Sequence, residues 1–137
     1  MNKILESIRT IPDFPKEGIM FRDVTTLFSN PSAFKATINE ICSYWKNKNL
    51  TKIIGIEARG FIIGSCVSLE LGLPFIPIRK KGKLPHTTIE ESYELEYGKA
   101  TIEIHSDAIN LNDNVLIIDD LIATGGTALA SISPVSY

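Results

Sequence analysis

Two hydrophobic periods run along this chain, and the switches between them mark its elements. Phe34, Ile38, Ile41, Cys42 and Trp45 recur at intervals of three and four, which predicts an amphipathic helix capped by Ser32 and ended by Asn47 to Asn49. A shorter helix is expected over Lys3 to Arg9, with Ile4, Leu5 and Ile8 on one face. Pro12 and Pro15 then predict an irregular stretch through Phe14 to Met20. Lys52 to Ile56 reads as the first core strand, Gly60 to Leu71 as the helix after it, and Gly72 as its stop. Phe75 to Ile78 reads as a second strand. Lys80 to Ser92 is polar and charged, and reads as a long mobile loop. Glu94 to Tyr97 and Ala100 to His105 flank Tyr97-Gly98-Lys99 as a hairpin, and the alternation Thr101-Ile102-Glu103-Ile104 predicts a half-exposed strand. Val115 to Asp119 is the last strand. Its run Val115 to Ile118 is continuously apolar, as expected for a central strand covered on both faces of a parallel sheet. Strand-helix-strand order around buried runs predicts an α/β domain with a parallel sheet flanked by helices.

Composition narrows the function classes. A length of 137 residues, 44% hydrophobic and 22% charged, suits one globular domain, residues 1–137, and argues against disorder. Fourteen basic against sixteen acidic residues give a formal charge of −2, so no global field favours nucleic acid as a partner. The most apolar stretch, Phe61 to Ile78, carries Glu70, Gly64, Gly72, Pro74 and Pro77, so a helix plus a strand explains it better than a membrane span. Cys42 and Cys66 form no CxxC pair, and the first residues lack the pattern of a signal peptide; a reduced cytoplasmic protein is expected. Cys42, on the apolar helix face, reads as a packing residue. There is no Walker A sequence, no GxGxxG, no HExxH and no cysteine cluster, which lowers the case for an NTPase, a dinucleotide oxidoreductase or a catalytic zinc site.

The chemistry gathers at strand ends. Asp119 and Asp120 follow the last strand at its carboxyl end, where open α/β sheets bind ligands. Ala123, Thr124, Gly125, Gly126 and Thr127 come next, a small-residue loop whose close-spaced N–H groups and hydroxyls suit a phosphate. Paired acids for sugar hydroxyls beside a phosphate cradle suggest a ribose 5-phosphate site; an ordinary strand-turn-helix is the plainer reading. Gly55-Ile56-Glu57-Ala58-Arg59-Gly60 repeats the same logic after the first strand, and the Arg59 guanidinium suits a diphosphate. Arg79, Lys80, Lys81 and Lys83 cluster after the second strand; four such cations are ordinarily a solvated loop.

These segments together resemble the phosphoribosyltransferases, and within them the adenine-specific branch. The resemblance runs from Ile8 to Ser131 and joins four motifs in order: Gly18-Ile19-Met20-Phe21-Arg22-Asp23, Glu57-Ala58-Arg59-Gly60-Phe61, Arg79-Lys80-Lys81-Gly82-Lys83-Leu84-Pro85 with Leu95-Glu96-Tyr97-Gly98, and Asp119 to Thr127. It implies a type I phosphoribosyltransferase-like fold with a flexible loop and hairpin over the site. It implies that adenine and phosphoribosyl pyrophosphate give AMP and pyrophosphate, with Mg²⁺ held by substrate oxygens rather than directly by the protein, and a homodimer. Asp119 and Asp120 would hold the ribose, and Ala123 to Thr127 its 5-phosphate. Glu57, Ala58, Arg59, Arg79 and Lys83 would meet the pyrophosphate, the last two across a dimer interface. Met20, Phe21, Arg22 and Leu121 would hold adenine. Glu96 would transfer the proton on adenine N7, and Arg59 would offset charge on the leaving group.

After Ser131 the family continues with further strand and helix elements, whereas Ile132 to Tyr137 contains Pro134 and stops. The expectation is a domain lacking its last elements. A truncated, inactive remnant and a non-catalytic phosphoribosyl pyrophosphate-binding module are the alternatives; the Leu-Glu-Tyr-Gly segment favours an enzyme.

Overall fold

A computed structural model describes residues 2–14, 16–18, 20–95 and 98–119. The chain divides into two compact units, Met1–Tyr44 and Trp45–Tyr137.

In the first unit, α1 (Asn2–Glu6) is followed by an antiparallel pair, β1 (Arg9–Pro12) and β2 (Met20–Asp23). The helix expected to reach Arg9 ends three residues earlier. Arg9 is drawn into a strand by contacts distant in sequence: its guanidinium grips Asp23 Oδ2 through Nε at 3.1 Å and Nη2 at 2.7 Å, and its amide donates to Thr26 Oγ1 at 3.0 Å. Asp23 Oδ1 also accepts from the Thr25 amide and hydroxyl at 3.0 and 2.6 Å. These bonds, Thr25's hydroxyl first and Arg9's next, hold the Asp23 carboxyl at about 2. They fix the start of α2 (Thr25–Phe28). The long amphipathic helix is α3 (Pro31–Trp45), with Ala33, Ile38 and Cys42 buried. Its cap is Asn30, not Ser32: Asn30 Oδ1 accepts from the Ala33 amide at 3.1 Å, and Pro31 takes the first helical position, where a missing N–H costs nothing.

The second unit holds a five-stranded sheet in the order β5-β6-β4-β3-β7. Parallel pairing joins β3 (Lys52–Ile56) to β4 (Phe75–Lys80) and to β7 (Val115–Ile118); β6 (Gly98–His105) runs antiparallel to β4, and β5 (Thr88–Leu95) antiparallel to β6. The parallel sheet expected from the strand-helix-strand order is therefore extended by an antiparallel hairpin. Part of the stretch expected to be loop is strand, because Ile89 packs onto the core and its segment pairs with β6 along its whole length. Register explains the core. Ile54 lies beside Ile76 and Ile117, and Ile56 beside Ile78, so these side chains share one face with Ile102 and Ile104. Fully burying each such side chain contributes roughly 1.5–3 kcal/mol. Among the described residues β7 is the last strand of the sheet, and Ile118 is the buried residue in it. The amino ends of β3 and β7 are tied by Asp113, which accepts from Lys52 Nζ (2.9 Å), Thr51 Oγ1 (2.8 Å) and the Asn110 amide (2.7 Å).

The opposite face carries α4 (Arg59–Leu71), ended by Gly72 in the left-handed conformation (φ 69°), as Gly72 predicted. Three glycines let it sit close. A Cβ on Gly55 or Gly64 would lie 2.7 or 2.8 Å from the Phe75 ring, and one on Gly60 would lie 2.5 Å from the Ile118 carbonyl oxygen. No helix among the described residues is long and apolar enough to cross a membrane.

Candidate active site

Three parallel strands bring their carboxyl ends to one place. Ile56 pairs with Ile78, and Gly55 with Ile118, so Glu57, Arg79 and Asp119 each stand one step past a ladder. β3 runs through Glu57 and Ala58, joined by a cis peptide, straight into α4, whose first residue is Arg59. Because Gly60 has no side chain, the start of α4 rests on the backbone at Ile118, with the Gly60 Cβ position 3.4 Å from the Asp119 Cα. Arg59, one residue before Gly60, and Asp119, one residue after Ile118, flank this approach.

Glu57 and Arg79 form a forked pair. Arg79 Nε donates to Oε1 at 3.0 Å and Nη2 to Oε2 at 3.4 Å, while the Lys80 amide donates to Oε1 at 3.2 Å. The Arg79 hydrogen bond is the main reason the Glu57 carboxyl lies below its ordinary range; burial works against it and the Lys80 amide adds to it. The guanidinium also stands 6.0 Å from the Phe61 ring centre. Glu57, expected to meet pyrophosphate, therefore spends its carboxylate on aiming Arg79. Arg79 keeps part of its surface open, its side chain 34% exposed.

Lys83 follows a turn at Gly82, whose φ is +86°. Lys83 is exposed, and its amine forms no ion pair among the described residues. Glu103, read only as an alternating polar position, is instead buried, 7% exposed, against the half-exposed pattern expected of its strand. It accepts from the Gly82 amide at 2.6 Å and from the Thr88 hydroxyl. Those bonds, Thr88's first, hold its carboxyl below the ordinary range against burial. No sequence signal singled it out, since its partners lie 15 and 21 residues away.

The other expected site residues belong to the first unit or lie outside the described residues. Met20, Phe21 and Arg22 are on β2 of the first unit; Met20 is exposed, and the Arg22 guanidinium donates to the Thr10 hydroxyl. Glu96, Asp120, Leu121, Ala123, Thr124, Gly125, Gly126 and Thr127 lie outside the described residues.

The family profile of the phosphoribosyl transferase domain matches residues 23–133 of the chain. This chain belongs to that family. An adenine phosphoribosyltransferase of Shewanella sp. (strain ANA-3) is 57% identical over 132 residues, covering 96% of this chain and 72% of its own. Among solved structures, the Giardia lamblia adenine phosphoribosyltransferase complexed with 9-deazaadenine superposes with a TM-score of 0.90 at 41% identity, over 97% of this chain and 74% of that one. The Trypanosoma brucei adenine phosphoribosyltransferase in complex with AMP, pyrophosphate and ribose-5-phosphate gives 0.88 at 30% identity, over 98% and 60%. The fold is that of these type I phosphoribosyltransferases: a mixed sheet flanked by helices.

Proposed function

We propose that this chain transfers the phosphoribosyl group of phosphoribosyl pyrophosphate to adenine, giving AMP and pyrophosphate, as purine salvage requires. The observation that carries the reading is the meeting of the Glu57–Arg59 turn, Arg79 and Asp119 at the carboxyl ends of β3, β4 and β7. The match from residue 23 to 133 spans both units, which supports treating them as one phosphoribosyltransferase domain. The relatives' bound adenine analogue, AMP and pyrophosphate supply the substrate class.

In this reading Arg59 and Arg79 receive the pyrophosphate, with Glu57 keeping Arg79 in place. Lys83 adds a third cation from the basic turn. Asp119 and Asp120 hold the ribose hydroxyls and favour positive charge at the anomeric carbon. Ala123 to Thr127 cradle the 5-phosphate, and Glu96 manages the proton on adenine N7. Met20, Phe21, Arg22 and Leu121 receive the base. Mg²⁺ fits the donor set as a substrate-borne ion. The ion is hard and takes oxygen donors, so pyrophosphate and ribose oxygens would hold it and the Asp119 and Asp120 carboxylates would orient those oxygens. When bound, the ion neutralises phosphate charge. A cytoplasmic homodimer completes the proposal, in keeping with the family resemblance.

The test is pyrophosphate release from phosphoribosyl pyrophosphate with each purine base in turn. Adenine alone should support turnover. Release with hypoxanthine or guanine in its place would overturn the base assignment, and binding without turnover on any base would reduce the chain to a ligand-binding module.

A further inference from the structure

We propose that Glu103 is the positioning residue of the basic turn, holding the 82–88 segment in the arrangement that presents Lys83 to the pyrophosphate of the substrate. The inference rests on the reading above for the identity of the anion. Glu103 pairs directly with Arg79 across β4 and β6, and with Glu90 across β5 and β6, so all three lie on the α4 side of the sheet. One carboxylate oxygen takes the Gly82 amide and the other takes the Thr88 hydroxyl. A single buried side chain therefore grips both ends of the turn. An ionised carboxylate only accepts, so it cannot itself receive pyrophosphate.

The cations of the turn are already sorted. Arg79 is held by Glu57, and Lys81 pairs with Glu90 at 3.3 Å. Lys80 pairs across the ladder with Ile102, on the opposite sheet face. Lys83 remains, exposed and outside any ion pair among the described residues. Its own amide donates to the Lys80 carbonyl at 3.3 Å, and the Lys81 amide to the Thr101 carbonyl at 3.0 Å, so the reversal at Gly82 decides where Lys83 is carried. Release Gly82 and the turn loses the bond nearest that lysine.

The experiment titrates inorganic pyrophosphate with Mg²⁺ into the full chain by calorimetry. Glu103→Ala should weaken pyrophosphate roughly tenfold or more, the scale of a lost hydrogen bond to a charged group. Glu103→Gln should stay within about threefold, because its amide can accept from Gly82 and donate to Thr88. Thr88→Val, which leaves the Gly82 bond and keeps the side-chain shape, should fall between; it also serves if Glu103→Ala does not fold. In a Lys83→Ala background, Glu103→Ala should have no further effect on affinity. Unchanged binding by both Glu103→Ala and Thr88→Val would overturn the proposal. So would a loss of the same size with and without Lys83, since that marks general damage rather than positioning. A parent chain that does not bind pyrophosphate would overturn the functional reading itself, and this inference with it.

Discussion

At the scale of single residues, the site depends on side chains held by others. Arg79 is aimed by Glu57, and the pair is only part-buried, which limits what it contributes to stability. Its effect belongs in binding. Glu57→Ala should raise the KM for phosphoribosyl pyrophosphate roughly five- to tenfold, the lower end expected of a charge-assisted hydrogen bond, with little change in the urea midpoint. An unchanged KM would mean that Arg79 finds its place without Glu57. A sharper loss is expected at the strand-end acids. Asp119→Asn combined with Asp120→Asn should abolish phosphoribosyl pyrophosphate binding in calorimetry, and a double variant binding like the parent would remove these residues from the site.

Among the elements, the joint between α4 and the sheet governs the site's shape. Gly60→Ala would push a methyl group into the Ile118 carbonyl, and backbone cannot step aside as a side chain can. A cost of about 1–3 kcal/mol in urea unfolding is expected, together with weakened substrate binding. Gly72→Ala should cost about 1–2 kcal/mol through its left-handed conformation and leave affinity intact. Equal affinity in both variants would show that α4's approach at Gly60 does not shape the site. Much of this frame was legible in the sequence. β3, α4 and β7 are runs whose burial is written into consecutive residues, and their boundaries lie within a residue or so of those expected. β1, β5 and the cap of α3 were not. Arg9 becomes strand because of Asp23, Ile89 because of a core built from other strands, and Asn30 outcompetes Ser32 because Pro31 opens the helix. The site divides the same way: strand-end positions could be read from local pattern, whereas Glu57–Arg79 and Glu103–Gly82 join residues more than twenty apart and carry no local signature.

For the molecule as a whole, each unit contains a carboxylate that the folded state keeps ionised. Asp23 in the first unit and Asp113 in the second are both held at about 2, against ~3.9 for a free aspartate. For Asp113 the Asn110 amide is the first cause and Lys52 the second. A depressed folded value means that the contribution is complete above pH ~4 and is lost as pH falls toward about 2. Urea midpoints should therefore decline across that window, and Asp113→Asn should be less stable at neutral pH while showing a shallower decline. Parallel curves for parent and variant would show that Asp113 gains nothing from folding.

The contact of Gly60 with Ile118 is main chain against main chain. No rotamer can lengthen or shorten it. The spacing of the first turn of α4 from the end of β7 is therefore gauged by atomic radii, which hardly respond to temperature, salt or the identity of neighbouring side chains. A site spaced by side chains drifts as its surroundings change. One spaced by a mechanical stop keeps its dimension until the helix lifts away, and then loses it at once.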